Sequence, residues 1–287
     1  MPGGGRGERW RGRQRTTNVI SGQLGASRQK RRGASDVSTD GWRRPPARPA
    51  LTSEDVHVWL ASLDVSDSRL ETLARTLSAG ERERARRYHF WSDRDRYVVC
   101  RGVLREILSV YLHRPADSFR LEYGAHGKPA LAGESERTGL RFNVARSGGM
   151  AMYALARGRE VGVDLESIRP ELATAEIAEQ FFAPSEVEAL RALHPGEWTA
   201  AFFACWTRKE AYVKATGGGL STGLDTFEVS LAPGAPAALL RAPGAEASRW
   251  SLRELTPRPG YIGALAVEGR RGWGLECWTF ECWASRD

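Results

Sequence analysis

Three carboxylates and one lysine hold the spacing that could do chemistry in this 287-residue chain. In Val161-Gly162-Val163-Asp164-Leu165-Glu166 apolar residues alternate with Gly162, Asp164 and Glu166, the period-2 pattern of a strand, so two acids share one face near its end. Like charges that close repel unless a cation or a proton neutralises them, and an oxygen-only set suits a hard ion such as magnesium. Glu210 offers a third carboxylate. It precedes Lys214 by four residues in Trp206-Thr207-Arg208-Lys209-Glu210-Ala211-Tyr212-Val213-Lys214, so Glu210 and Lys214 share a helix face while Lys209 points about 100° away. Taken alone, the same residues also describe an amphipathic core helix with one surface Glu-Lys pair, worth about 0.2–0.5 kcal/mol.

The elements that must position these side chains follow from periodicity. Trp198, Ala201, Phe202, Cys205 and Trp206 form an apolar stripe at helical spacing, which predicts a helix buried on one face and ended by Gly217-Gly218-Gly219. Upstream, Val56, Val58 and Leu60 alternate as a strand. Ser66 caps a short helix carrying Leu70, Leu73 and Leu77 that stops at Gly80, and Glu81 to Arg87 reads as a solvated helix face. A longer helix from Ser92 turns Tyr97, Leu104, Ile107, Leu108 and Tyr111 inward. Leu140 to Val144 and Met150 to Ala156 are strands about a turn at Ala145 to Gly149, and a turn at Gly158 continues them into the Asp164 strand as a meander. Helices over 173–182 and 185–193, the Trp198 helix, and strands over 227–231, 250–255 and 261–267 follow. Helices bunched between a leading strand and later ones, twice over, indicate an α+β fold class in two similar halves, 51–158 and 159–287.

Residues 1–50 stand apart. They hold 12 Lys and Arg against 3 Asp and Glu, leaving 30 against 32 for the rest, so the chain's net charge of +7 belongs to this Gly-, Arg- and Pro-rich stretch. The charge is therefore no nucleic-acid signature of the folded body, and the stretch is expected to be a disordered basic tail. With neither a secretory signal nor a run of transmembrane length in view, a soluble, cytoplasmic protein is expected. Cys100, Cys205, Cys277 and Cys282 lack Cys-x-x-Cys spacing and the five histidines form no zinc pattern, so packed, reduced thiols are expected.

Gly162 to Glu166 followed by Trp206 to Lys214 resembles the paired signature of the 4'-phosphopantetheinyl transferases of the Sfp-like kind. Gly127-Lys128-Pro129 and Phe142-Asn143 ahead of Ser147 resemble that family's upstream motifs, and together the likeness spans about residues 55–270. The resemblance implies an enzyme that moves the phosphopantetheine arm of coenzyme A onto a serine of an apo acyl or peptidyl carrier protein, releasing adenosine 3',5'-bisphosphate. It also implies two pseudo-symmetric halves with the active site in the cleft between them. Asp164, Glu166 and Glu210 would hold magnesium, Glu210 would take the serine proton, and Lys214 would stabilise the departing group. Coenzyme contacts would come from Lys128 first, then Arg87, Arg96 and Arg146, and from Lys209 within the signature. Where the family has Ser-His after Phe-Asn-x, this chain has Ala145-Arg146, and a guanidinium can fork onto a phosphate as well. Two internal halves point to a monomer, and the lack of a run of transmembrane length to no membrane partner.

Two other classes share parts of this pattern. A magnesium-dependent nuclease would also use three acids and a lysine. A nucleic-acid-binding protein would use the basic tail.

Overall fold

The computed structural model describes residues 41–281 apart from 125, 134, 220, 221, 270 and 271. In chain order come β1 (Asp55–Ser62), α1 (Asp67–Thr76), α2 (Ala79–Arg86), α3 (Trp91–Leu112), β2 (Leu121–Tyr123), β3 (Pro129–Leu131), α4 (Ser135–Thr138), β4 (Leu140–Ser147) and β5 (Met150–Arg157). A second series follows, with β6 (Val161–Ser167), α5 (Ala175–Phe181), α6 (Pro184–Arg191), α7 (Trp198–Thr216), β7 (Glu228–Val229), β8 (Leu239–Arg241), β9 (Trp250–Leu255), β10 (Tyr261–Glu268) and β11 (Gly274–Thr279). The fold is mixed α+β. One sheet runs β11-β1-β5-β4 and another β6-β10-β9, so both contain the order leading strand, middle strand, flanking strand.

The meander expected from the sequence ends at β5, because β6 leaves the β4–β5 hairpin to lead the second sheet. Side chains stitch the two facing edges instead of a backbone ladder. Asn143 Oδ1 on β4 accepts from the Val163 amide at 2.9 Å, and Ser147 Oγ accepts from the Ser167 amide at 3.0 Å. These bonds satisfy buried donors that would otherwise cost about 1–3 kcal/mol each. Behind the seam, Val161, Val163 and Leu165 of β6 join Val56, Val58, Leu60 and Met152 in one apolar core. A second core packs the inner face of α3, including Leu104, Ile107 and Leu108, against Trp59, Tyr153 and Phe142.

Four sequence expectations change. The Ser66-capped helix ends before Ser78, which opens α2 with a capping box: its Oγ accepts from the Glu81 amide while Glu81 Oε2 accepts from the Ser78 amide at 2.9 Å. Gly80 thus lies inside a helix. Glu81 is not on a solvated face but buried against Arg105 at 2.7 Å. β4 continues through Ala145 and Arg146 to Ser147, paired with Met150 to Met152, and the chain reverses only at Gly148, whose φ is +57°. The end of the stretch assigned to the tail also packs on the fold: Trp42 is buried in the inter-sheet core, its indole donates to the Thr256 carbonyl at 2.9 Å, and Arg43 bridges Trp278 of β11. A lone tryptophan among Arg and Pro gives no periodic signal, so its long-range partner was invisible. The remainder of that stretch, residues 1–40, lies outside the described residues, as does Cys282.

Candidate active site

The carboxylate strand and the lysine helix meet because one position on β6 has no side chain. α7 crosses β6 over Gly162, where a methyl group would overlap the Ala211 carbonyl oxygen and the Ala215 amide nitrogen. That close approach sets the next turn of α7 against the next residues of β6. Lys214 Nζ then lies 2.5 Å from Asp164 Oδ1. Asp164 is 3% exposed, and its other oxygen, Oδ2, is buried without a hydrogen-bond partner. Glu166 accepts from the Ser147 hydroxyl at 2.7 Å. Glu210, half-buried one turn before Lys214, engages no hydrogen bond or ion pair among the described residues.

The electrostatics of this group are unbalanced. Burial pushes Asp164 upward against the pull of Lys214. Burial and then the Asp164 charge push Glu166 up from an ordinary 4.5 to about 8, opposed by Ser147, Lys214 and Arg169. Glu210 is raised too, by burial first; Lys214 opposes that shift and Asp164 adds to it. Burial pulls the Lys214 ammonium down, but Asp164, Glu210 and Glu166 more than reverse it. Three carboxylates thus share one ammonium, and the site has room in its charge for a cation. Among the described residues no three His, Cys, Asp or Glu side chains are gathered into a ready cage. Magnesium does not need one, since it is commonly held by one or two carboxylates with substrate phosphate and water completing the sphere. Asp164 Oδ2, Glu166 and Glu210 fit that donor chemistry.

The cationic candidates separate. Lys128 sits at the entry of β6, where its Nζ donates to Glu160 Oε2 at 3.1 Å and to the carbonyls of Val161 and Ala215 at 3.4 and 3.2 Å. Arg96 and Arg146 lie near the other end of the seam: Arg96 forks onto Asp64 at 3.0 and 3.4 Å, and Arg146 donates to the Tyr88 hydroxyl at 3.1 Å. Arg87 is exposed and only loosely paired with Glu83 at 3.9 Å. Lys209 must be withdrawn as a coenzyme contact. It is completely buried, and its ammonium is consumed by Glu186 Oε2 at 2.6 Å and the carbonyls of Leu224 and Phe227 at 2.8 and 2.6 Å. The helix is wrapped on nearly every side, not on one face, so the residue a hundred degrees from Glu210 points into protein.

Family models match both halves of the chain. Residues 62–157 match "4'-phosphopantetheinyl transferase, N-terminal" and residues 160–266 match "4'-phosphopantetheinyl transferase superfamily". The 4'-phosphopantetheinyl transferase HetI of Nostoc sp. is 39% identical over 239 residues, covering 83% of this chain and 98% of that protein. The chain belongs to the 4'-phosphopantetheinyl transferase superfamily. A 4'-phosphopantetheinyl transferase of Bacillus subtilis is 34% identical over 56% of this chain and 69% of its own length. Another from that organism, Sfp, is 29% identical over 58% and 72%.

The nuclease alternative gives way to this membership, while binding through residues 1–40 lies outside the described residues. Among those described, no helix is long and apolar enough to cross a membrane. Three residues of this transferase gained roles that sequence reasoning had not given them. Asn143 and Ser147 belong to a motif by sequence, and in the fold their side chains hold β6 in register with β4. Gly162 read as one face of an alternating strand, and only the crossing helix shows why a side chain is excluded there.

Proposed function

We propose that this transferase moves the 4'-phosphopantetheine arm of coenzyme A to a serine of an apo acyl or peptidyl carrier protein, with magnesium, releasing adenosine 3',5'-bisphosphate. The observation that carries the reading is the buried, unpartnered Asp164 Oδ2 beside two further carboxylates raised in pKa and a single ammonium. The shared strand order of the two sheets, each with one long helix, supports two pseudo-symmetric halves, 51–158 and 159–287, with the coenzyme between them along the β4–β6 seam.

In this mechanism the serine Oγ forms a bond to the phosphorus bearing the pantetheine arm as the bridging P–O bond to the nucleotide breaks. Asp164 Oδ2, Glu166 and Glu210 would hold the magnesium, which when bound supplies charge neutralisation at the pyrophosphate. Glu210, with both oxygens unengaged and its pKa raised, accepts the serine proton. Lys214, its charge secured by the carboxylates around it, would stabilise the leaving oxygens. Ser147 orients Glu166 by donating its hydroxyl to one carboxylate oxygen. Arg146 and Arg96 serve the phosphates at one end of the seam and Lys128 at the other, once their present partners yield. The test is to incubate the protein with coenzyme A, magnesium and a panel of apo-carriers and weigh the carriers. A mass gain of one phosphopantetheine on a single serine, lost with chelator, is expected; unmodified carriers throughout would refute the proposal.

A further inference from the structure

Phe90 and Trp91 stand side by side at the head of α3 with 61% and 72% of their surface exposed. Two large consecutive aromatics left in water are costly unless another surface covers them. Their surroundings are cationic. The Arg94 guanidinium stacks 4.3 Å from the Trp91 ring centroid, Arg86 and Arg87 are exposed just before the pair, and residues 82–96 hold six arginines against three acids. Arg146 reaches the same area, donating to the hydroxyl of Tyr88, two residues before Phe90.

We infer that Phe90, Trp91 and the arginines around them form the docking surface for the protein substrate, which meets them with acidic side chains around an apolar pocket. This rests on the carrier reading above. Charge selects the occupant. Residues 1–40 of the chain carry nine Lys and Arg against three acids, the same sign of charge as the patch. A second copy in a two-fold contact would bring the same arginines face to face. An acidic partner is attracted, and exposed Trp beside Arg is the composition of interface anchors.

The test uses the full chain, a fluorescently labelled acidic apo-carrier and the double variant Phe90→Ser/Trp91→Ser, with Arg94→Glu as a second variant. Carrier binding is read by anisotropy without turnover, and steady-state transfer is read separately. Both variants should weaken carrier binding by about tenfold or more and raise the carrier KM in step, with kcat and the coenzyme KM held within about twofold. Carrier affinity unchanged in both variants overturns the inference, and so does a wild-type chain that binds no acidic carrier. Tighter carrier binding on removal of residues 1–40 would make the chain's own segment the occupant, and a dimer in sedimentation that the variants dissolve would make it a second copy; either result overturns it. A carrier that binds the wild type and not the variants, yet is never modified, supports the surface and refutes only the transfer reading.

Discussion

Two faces of α7 carry buried charge and differ in one respect. On the first, Lys209 and Glu186 are both enclosed, and the charged atoms of this pair all have partners: Glu186 accepts from the Lys209 ammonium and from the Ala183 and Val229 amides, and Lys209 also donates to two carbonyls. On the second, Lys214 serves Asp164 while Asp164 Oδ2 is left bare and Glu210 is unengaged. The Lys209 pair is complete within the protein, whereas the Lys214 group keeps a bare oxygen and an unengaged carboxylate side by side. Both faces come from about two turns of helix, Arg208 to Lys214.

The largest expected effect tests the closed face. Lys209→Ala strands Glu186 in the interior and should cost about 3–5 kcal/mol by denaturant unfolding, whereas Lys214→Ala, at a side chain 31% exposed, should cost far less. Equal losses would erase the distinction between the two faces. On the open face, Asp164→Asn should lower transfer by at least about a hundredfold, roughly 2.7 kcal/mol, while leaving the melting temperature unchanged or raised, because a repulsion is removed. Near-normal turnover with unaltered metal dependence would show that Asp164 is not part of the machinery.

A smaller effect is a pH slope. Glu166 has a folded pKa of about 8 against an ordinary 4.5, so between those values the folded chain holds a proton that the unfolded chain has released. Stability of the metal-free protein should therefore fall as pH rises through this window. Denaturant midpoints across the window would reveal it. Glu166→Gln should flatten the slope, and a slope as steep in that variant would assign the proton elsewhere. The smallest effect lies one residue before Lys209. Arg208→Lys keeps the charge but loses the fork that spans the Ser230 carbonyl and Glu254, both at 2.5 Å, and should cost about 1 kcal/mol with transfer untouched. A loss of turnover there would mean that the two faces are coupled.

The sequence carried the open face well and the closed face poorly. Alternation placed Asp164 and Glu166 together, and helical spacing paired Glu210 with Lys214, because both rest on local periodicity. Lys209 stands next to Glu210 with the same polarity, and nothing local tells a lysine that meets solvent from one that meets Glu186 across the fold. The same limit hid β11, whose partner is β1, and the docking of Trp42. The β4 extension was lost because Ala-Arg-Ser has little strand preference of its own and is held by its pairing with Met150 to Met152. Membership in the transferase superfamily needed only the local motifs.

The parallel pairing of β1 with β11 has a consequence for synthesis on the ribosome. Asp55 lies opposite Gly274, so β1 emerges early and can pair with β5 on one side, but its other edge stays open until nearly the whole described chain has appeared. An unpaired edge bearing Val56, Val58 and Leu60 invites strand addition from neighbouring nascent chains. Closing so long a loop costs little extra free energy, since the entropy grows only with the logarithm of length, but the wait itself is fixed by the rate of translation. The last described strand to be made is thus the one that seals the first described strand.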